Sequence, residues 1–157
     1  MKTLIILSAI PASGKSTWAK EYQKNHDNVV IISSDAIRLE ITHGVYGDQS
    51  HQKEVWRVFE ERMHEYPKMN DNITVILDAL NDTNELRYKY LSTTPEYDKK
   101  VLVLFPASNL EKAKYFNSLR PVNARVPDDI LVMLTNKFEP PSEEVLALVD
   151  ELIEVTW

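Results

Sequence analysis

The chain has 157 residues, 43% hydrophobic and 27% charged, which suits one soluble domain with a single buried core. A net charge of −6 argues against a protein that wraps long duplexes, since such binding rests on basic contacts to phosphate, but it leaves room for a local basic site. The absence of cysteine excludes disulfides, thiolate metal ligands and a cysteine nucleophile. With no bilayer-length apolar run and no secretory leader, a cytoplasmic protein without a membrane partner is expected.

Residues 2–8 read as a first strand, and 16–24 as a helix with Trp18, Ala19 and Tyr22 on one face. Four β-branched residues at 29–32 make a buried, parallel strand. Ser33-Ser34-Asp35 then caps a short helix whose Ile37 and Ile41 share a side, and Gly44 and Gly47 break it. The helix at 51–64 carries Val55, Val58, Phe59 and Met63 at helical spacing, and 73–77 is a third strand.

Asp82 and Glu85 have capping-box spacing ahead of a helix with Leu86 and Tyr90. A fourth strand follows at 101–105. Ser108 and Glu111 repeat the signature before a helix bearing Leu110 and Ala113. A polar, arginine-bearing stretch at 118–126 leads to Pro127, Asp128 and Asp129 in the first turn of another helix, with Ile130, Met133 and Leu134 as its buried stripe. Pro140-Pro141 ends it, and 152–155 is a last strand. Strands alternating with helices predict a three-layer α/β fold, a mostly parallel sheet with helices on both faces, in a single domain over 1–157.

The stretch Ala9-Ile10-Pro11-Ala12-Ser13-Gly14-Lys15-Ser16-Thr17 joins the first strand to the first helix and ends as a phosphate-binding loop ends. A strand-to-helix turn aims several backbone N–H groups at one point, and the helix N-terminus adds its positive end. Gly14 permits close approach, Lys15 reaches the β- and γ-phosphates, and the Ser16 hydroxyl can ligate magnesium. A nucleoside triphosphate, with ATP and Mg²⁺ as cofactors, is therefore expected along Pro11–Thr17. Ala9 stands where the strict pattern has its first glycine, which is tolerable if φ there is negative.

Asp35 lies just past the second strand, in the crevice where parallel sheets bind ligands, and Arg38 follows three residues later on the same helix side. A carboxylate there can take a proton from an attacking hydroxyl while the arginine holds a phosphate. Spacing alone equally allows an N-cap aspartate and a surface arginine. Asp78 ends the third strand, with Asn81 and Asn84 behind it. It can act on magnesium through water or orient the loop, or simply make a turn. Arg87 either pairs with a carboxylate in the crevice or covers a helix surface. Arg120 and Arg125 sit where a lid over the phosphates would place its cations, the other reading being an ordinary solvated loop. The four histidines read as surface or structural groups, and Trp18, Trp56 and the tyrosines as packing residues.

Together, "IPASGKSTWA", "IISSDAIR", "VILDALNDTN", "RYKYL", "RPVNARVPDDIL" and "KFEPPSEE" resemble, in order, segments of the phage and bacterial P-loop polynucleotide 5′-hydroxyl kinases, a family that includes nucleic acid repair enzymes. The resemblance implies that Lys15 and Ser16 hold phosphates and magnesium, Asp35 is the general base, Arg38 meets the acceptor phosphate, and Arg120 with Arg125 form the lid. The implied acceptor is a nucleic-acid 5′-hydroxyl end. A small-molecule kinase (of a nucleoside, antibiotic or sugar derivative) and a nucleotide-binding regulatory protein with little catalysis are the alternatives. The chain departs from the family at Ala9, at Leu80 (often threonine there) and at Phe116 (often arginine). No phosphatase or ligase module accompanies the kinase segment in these residues.

Overall fold

The computed structural model describes residues 1–44, 50–106 and 109–156. Five parallel strands, β1 (Lys2–Ser8), β2 (Val29–Ser33), β3 (Ile73–Asp78), β4 (Lys99–Leu104) and β5 (Glu151–Glu154), lie in the order β2-β3-β1-β4-β5. The helices are α1 (Lys15–Asn25), α2 (Ser34–Ile41), α3 (Gln52–Met69), α4 (Asn84–Ser92), α5 (Leu110–Ser118), α6 (Asp128–Lys137) and α7 (Glu143–Ala147). A 3₁₀ turn at Val122–Ala124 interrupts the α5–α6 connection.

Strand alternation sorts the core onto two faces. Leu4, Ile6, Val75 and Leu77 pack with Ile37, Val55, Phe59, Met63 and Tyr90 from α2, α3 and α4. Ile5, Leu7, Ile76, Val101 and Val103 pack with Ala19 of α1 and Phe105, and Trp18 and Tyr22 lie half-buried against them. The three-layer α/β arrangement read from the sequence is thus the observed one, with β1 covered on both sides. Among the described residues no helix is long and apolar enough to cross a membrane.

Helix α3 runs past His64 to Met69 and contains Pro67, which cannot donate to the carbonyl of Met63. The buried Tyr97 hydroxyl donates to that carbonyl at 2.6 Å, so the bond the proline removes is restored from outside the helix. Burial, with Glu96 nearby, pushes the Tyr97 phenol well above its ordinary value, in keeping with a neutral donor.

Local expectations change at four points. The N-cap of α4 is Thr83, whose Oγ1 accepts from the Leu86 N–H at 3.4 Å. Asp82 is instead buried, and its carbonyl accepts from the Glu139 N–H at 2.9 Å as part of the chain's return past α4. On α6 the fully buried residue is Leu131, whereas Ile130 and Met133 are 37% and 54% exposed and Leu134 is half-buried. The physical reason is that α6 packs against α5 and closes a small third cluster with Ile10 and Ala113, which needs one large inward side chain. Helix α7, capped by Ser142 Oγ on the Val145 N–H at 3.2 Å, was not anticipated. Gly47 and Ser108 lie outside the described residues, and the cap of α5 is Asn109, which accepts from the Lys112 N–H at 3.2 Å.

Candidate functional site

Parallel strands place the turns at their C-terminal ends side by side, and β1, β3 and β2 do so here. The register pairs Ile6 with Leu77 and Ser33 with Asp78, so the loop after β1, the carboxylate ending β3 and the start of α2 form one crevice. The loop is tied down at its base by the Ala9 N–H donating to the Leu80 carbonyl at 2.8 Å, and inside by Ser13 Oγ donating to the Ile10 carbonyl at 2.8 Å.

Ala9 is fully buried and is not among the positive-φ residues, so its methyl group carries no backbone penalty. Gly14 has φ +88°, with nothing within 4 Å of where a Cβ would stand. It is required there by backbone conformation rather than by space. Ala12, at φ 59°, also takes the left-handed region, a strained setting that an active loop can store.

Lys15, first residue of α1, is buried and its Nζ stands 3.5 Å from Asp78 Oδ1. Ser16 Oγ donates to Asp78 Oδ2 at 2.9 Å. Asp78 is only 5% exposed, and its Oδ1 accepts no hydrogen bond. A buried carboxylate oxygen lacking a hydrogen bond, beside a serine hydroxyl, is a donor set suited to a hard cation that keeps most of its water, which fits Mg²⁺. Among the described residues no cluster of three or more metal-ligating side chains exists, so phosphate and water oxygens would complete such a shell.

Asp35 and Arg38 meet on α2: Arg38 Nη1 donates to Asp35 Oδ1 at 2.7 Å. Ser33 Oγ, not Asp35, caps the helix by accepting from the Ala36 N–H at 3.2 Å, which leaves the Asp35 carboxylate available and 66% exposed. Arg38 is not a surface arginine. Its side chain is 13% exposed, and Nη2 donates to Gln52 Oε1 at 3.1 Å.

Arg87 departs from both expectations set for it. It is fully buried, forms no ion pair among the described residues, and acts as a clip: Nε donates to the Asn81 carbonyl at 2.9 Å, Nη2 to Ser8 Oγ at 2.9 Å and Nη1 to Asn84 Oδ1 at 2.9 Å. Its guanidinium also lies 5.1 Å from the centre of the Phe138 ring. Burial lowers its pKa, with Asp82 and Glu139 opposing that shift. Asn81, at φ 46°, donates to the Leu7 carbonyl at 2.6 Å, and Asn84 Nδ2 to the Pro140 carbonyl at 3.0 Å. These three residues tie the ends of β1 and β3 to the start of α4. Sequence reading singled out the two asparagines only as turn formers.

Arg120 and Arg125 lie on the connection between α5 and α6. Arg125 Nε donates to the Arg120 carbonyl at 2.8 Å, and neither guanidinium forms an ion pair among the described residues. The connection is closed at its base by Asn117, which donates from Nδ2 to the Val126 carbonyl at 2.6 Å and accepts the Val126 N–H at 3.0 Å. Asn117 had no signal in the sequence beyond its place beside Phe116. The described contacts join Lys15, Ser16 and Asp78 to one another and Asp35 to Arg38. They do not join Arg120 or Arg125 to either group.

Comparison with known proteins bears on the fold and the family. The KTI12 homolog of Xenopus laevis is 27% identical over 145 residues, covering 88% of this chain and 50% of its own. The L-seryl-tRNA(Sec) kinase of Methanococcus maripaludis is 25% identical over 153 residues, covering 88% and 53%. The chain thus spans about half the length of these curated relatives. Chaetomium thermophilum Kti12, solved in complex with ADP-AlF3, superposes with a TM-score of 0.68 at 20% identity, over 98% of this chain and 89% of that one. A chain of the Pnkp1/Rnl/Hen1 RNA repair complex gives 0.73 at 22% identity, over 87% and 43%. The fold is that of P-loop kinases and kinase-like proteins, as the motifs implied, and the likeness to polynucleotide kinases is one of several within it. The family described as chromatin associated protein KTI12 matches residues 2–147, nearly the entire chain, and the chain belongs to that family.

Proposed function

We propose that the protein is an ATP-dependent kinase that transfers the γ-phosphate to a hydroxyl, and that the acceptor is the 5′-hydroxyl end of a nucleic acid. The observation that carries this reading is the pairing, in one crevice, of a triphosphate cluster (Lys15, Ser16, Asp78) with an exposed carboxylate held beside a sheltered arginine (Asp35, Arg38). A loop that only binds nucleotide has no use for the second pair. Relatives named as a seryl-tRNA kinase and as part of an RNA repair complex support an acceptor carried on RNA.

The residues divide the work as follows. Backbone N–H groups of Pro11–Thr17 (proline excepted) and Lys15 bind the phosphates, and Ser16 with Asp78, directly or through water, would hold Mg²⁺. When bound, the cation neutralises charge on the β- and γ-phosphates. Asp35 accepts the proton of the acceptor hydroxyl as its oxygen bonds to the γ-phosphorus, and the bond from that phosphorus to the β,γ-bridging oxygen breaks, releasing ADP. Arg38 orients the acceptor through a phosphate, and Arg120 and Arg125 close over the transferring group. Incubation with γ-labelled ATP and 5′-hydroxyl DNA, 5′-hydroxyl RNA and a pool of metabolites tests this. Labelled oligonucleotide supports the reading, while a labelled small molecule replaces the acceptor.

The second reading is a nucleotide-binding regulatory protein with little transferase activity. Membership of the KTI12 family and Phe116, 39% exposed where a lid cation is usual, favour it. Tight binding of ATP with no labelled acceptor of any kind would select it.

A further inference from the structure

Arg38 is held more firmly than a phosphate-seeking side chain on a short helix would be by itself. Its carbonyl accepts from both the Thr42 N–H at 2.9 Å and Thr42 Oγ1 at 2.8 Å, which fixes the last turn of α2. Its guanidinium is grasped from two sides, by Asp35 on Nη1 and by Gln52 on Nη2. Its Nε is shut off from solvent and has no hydrogen-bond partner. A guanidinium carries five N–H donors in a fixed fork, and leaving a buried one unmade is costly enough to ask what it serves.

The two grips differ in kind. Asp35 is 66% exposed, so its pairing with Arg38 is an easily exchanged surface contact. Gln52 is the first residue of α3, the helix whose Val55, Phe59 and Met63 are locked into the core, so its amide is presented from a rigid element. We propose that Gln52 is a positioning residue for the acceptor: it keeps the Arg38 guanidinium in register while an acceptor phosphate displaces Asp35 from it. The exchange leaves Arg38 on the phosphate and frees an Asp35 oxygen to take the hydroxyl proton. Gln52 is neutral, so it orients the guanidinium without competing with a phosphate for its charge. The proposal rests on the kinase reading above for the role of Arg38.

Binding rather than turnover tests it, with the phosphate loop filled by a non-hydrolysable ATP analogue and Mg²⁺. The probes are a 5′-hydroxyl dinucleoside monophosphate and its uncharged methylphosphonate analogue. The wild-type protein should prefer the charged probe, and Gln52→Met, which keeps the volume but offers no acceptor to Nη2, should lose roughly tenfold of that preference. Gln52→Glu, which restores an oxygen, should fall between the two. A contact that merely ties α2 to α3 would lower the unfolding temperature of Gln52→Met and leave the preference intact, and that result overturns the proposal. So does a wild-type protein that binds both probes equally. A Gln52-dependent preference without any phosphoryl transfer would instead remove the kinase reading while leaving the positioning role in place.

Discussion

The phosphate-loop end of the crevice and the proposed lid are built in opposite ways. At the loop end the termini of β1 and β3 are wired: Ala9 to Leu80, Asn81 to Leu7, Ser8 and Asn84 to Arg87, Ser16 to Asp78. At the proposed lid, Arg125 is exposed, its Nε donates to the Arg120 carbonyl, and among the described residues the base of the connection is clasped by Asn117 on Val126. A preassembled phosphate cradle lowers the reorganisation needed at the moment of reaction. Cations that must admit a substrate and then enclose it cannot be wired in the same manner. Chemistry is thus expected to be sensitive to single atoms at one end, and to chain closure at the other.

The largest effect should come from Asp35→Asn. The amide keeps the shape of the carboxylate but cannot accept the hydroxyl proton, so transfer should fall roughly a hundred- to ten-thousand-fold. ATP binding should be unchanged, because none of the Lys15, Ser16 and Asp78 contacts involve Asp35. Wild-type transfer by this variant would remove Asp35 as the base.

Next comes the wiring itself. Arg87→Met removes the buried donors to Ser8 Oγ, while the Asn81 carbonyl keeps the Ser8 hydroxyl and Asn84 Oδ1 keeps the Ser142 N–H; the loss should cost about 2–3 kcal/mol of stability by the usual penalties for unmade buried hydrogen bonds. If the clip also sets the loop-to-Asp78 distance, ATP affinity should drop beyond what lost stability explains. Tyr97→Phe supplies the control: it strands the Met63 carbonyl at the other end of α3 and should cost about 1–2 kcal/mol without weakening ATP binding. Equal losses of ATP binding in the two variants, measured by calorimetry on the folded fraction, would reduce Arg87 to a stability residue.

The same tyrosines give a pH dependence whose sign is fixed. Tyr90 and Tyr97 have folded pKa values raised by burial, so in the fold they stay protonated while the unfolded chain ionises its phenols near pH 10. Above about pH 10 the unfolded state therefore binds fewer protons than the native one, and stability falls as pH rises toward the folded values. Tyr97→Phe should flatten part of that alkaline loss in denaturant titrations.

How legible the molecule was follows the same contrast. Strands β1 to β4, the apolar stripe of α3 and the Gly14-Lys15-Ser16 loop were readable because each is specified by a local period or spacing. Asp35 and Arg38 were paired correctly by their three-residue separation, which a helix turns into a contact. Arg87 was not readable as a buried clip. Charged residues default to the surface, and its partner Ser8 is 79 residues away. The face of α6 was misread because periodicity shows that a helix has an apolar side, not how much of it a small cluster such as Ile10, Ala113 and Leu131 can cover. The cap of α4 was misplaced by one residue since Asp82 and Thr83 are both competent, and a contact from Glu139 decided between them.

The smallest expected effect probes the lid. Asn117→Ala removes both hydrogen bonds to Val126, at a cost of about 1–2 kcal/mol, in a segment that the sheet does not depend on. The unfolding temperature should therefore move little, and ATP affinity less still, since Lys15, Ser16 and Asp78 are untouched. What should change is the step proposed to bring Arg120 and Arg125 over the γ-phosphate. With the base of the loop open, more chain must be ordered on closing, and that entropy falls on kcat rather than on ATP binding. Double substitution of Arg120 and Arg125 by alanine should lower kcat further, and adding Asn117→Ala to it should change nothing more, because a closure that brings no cations has no rate to lose. An Asn117 effect that persists undiminished in the arginine-free lid would mean that the clasp serves the fold near Leu131, and the division between a wired end and a closing end would have to be redrawn there.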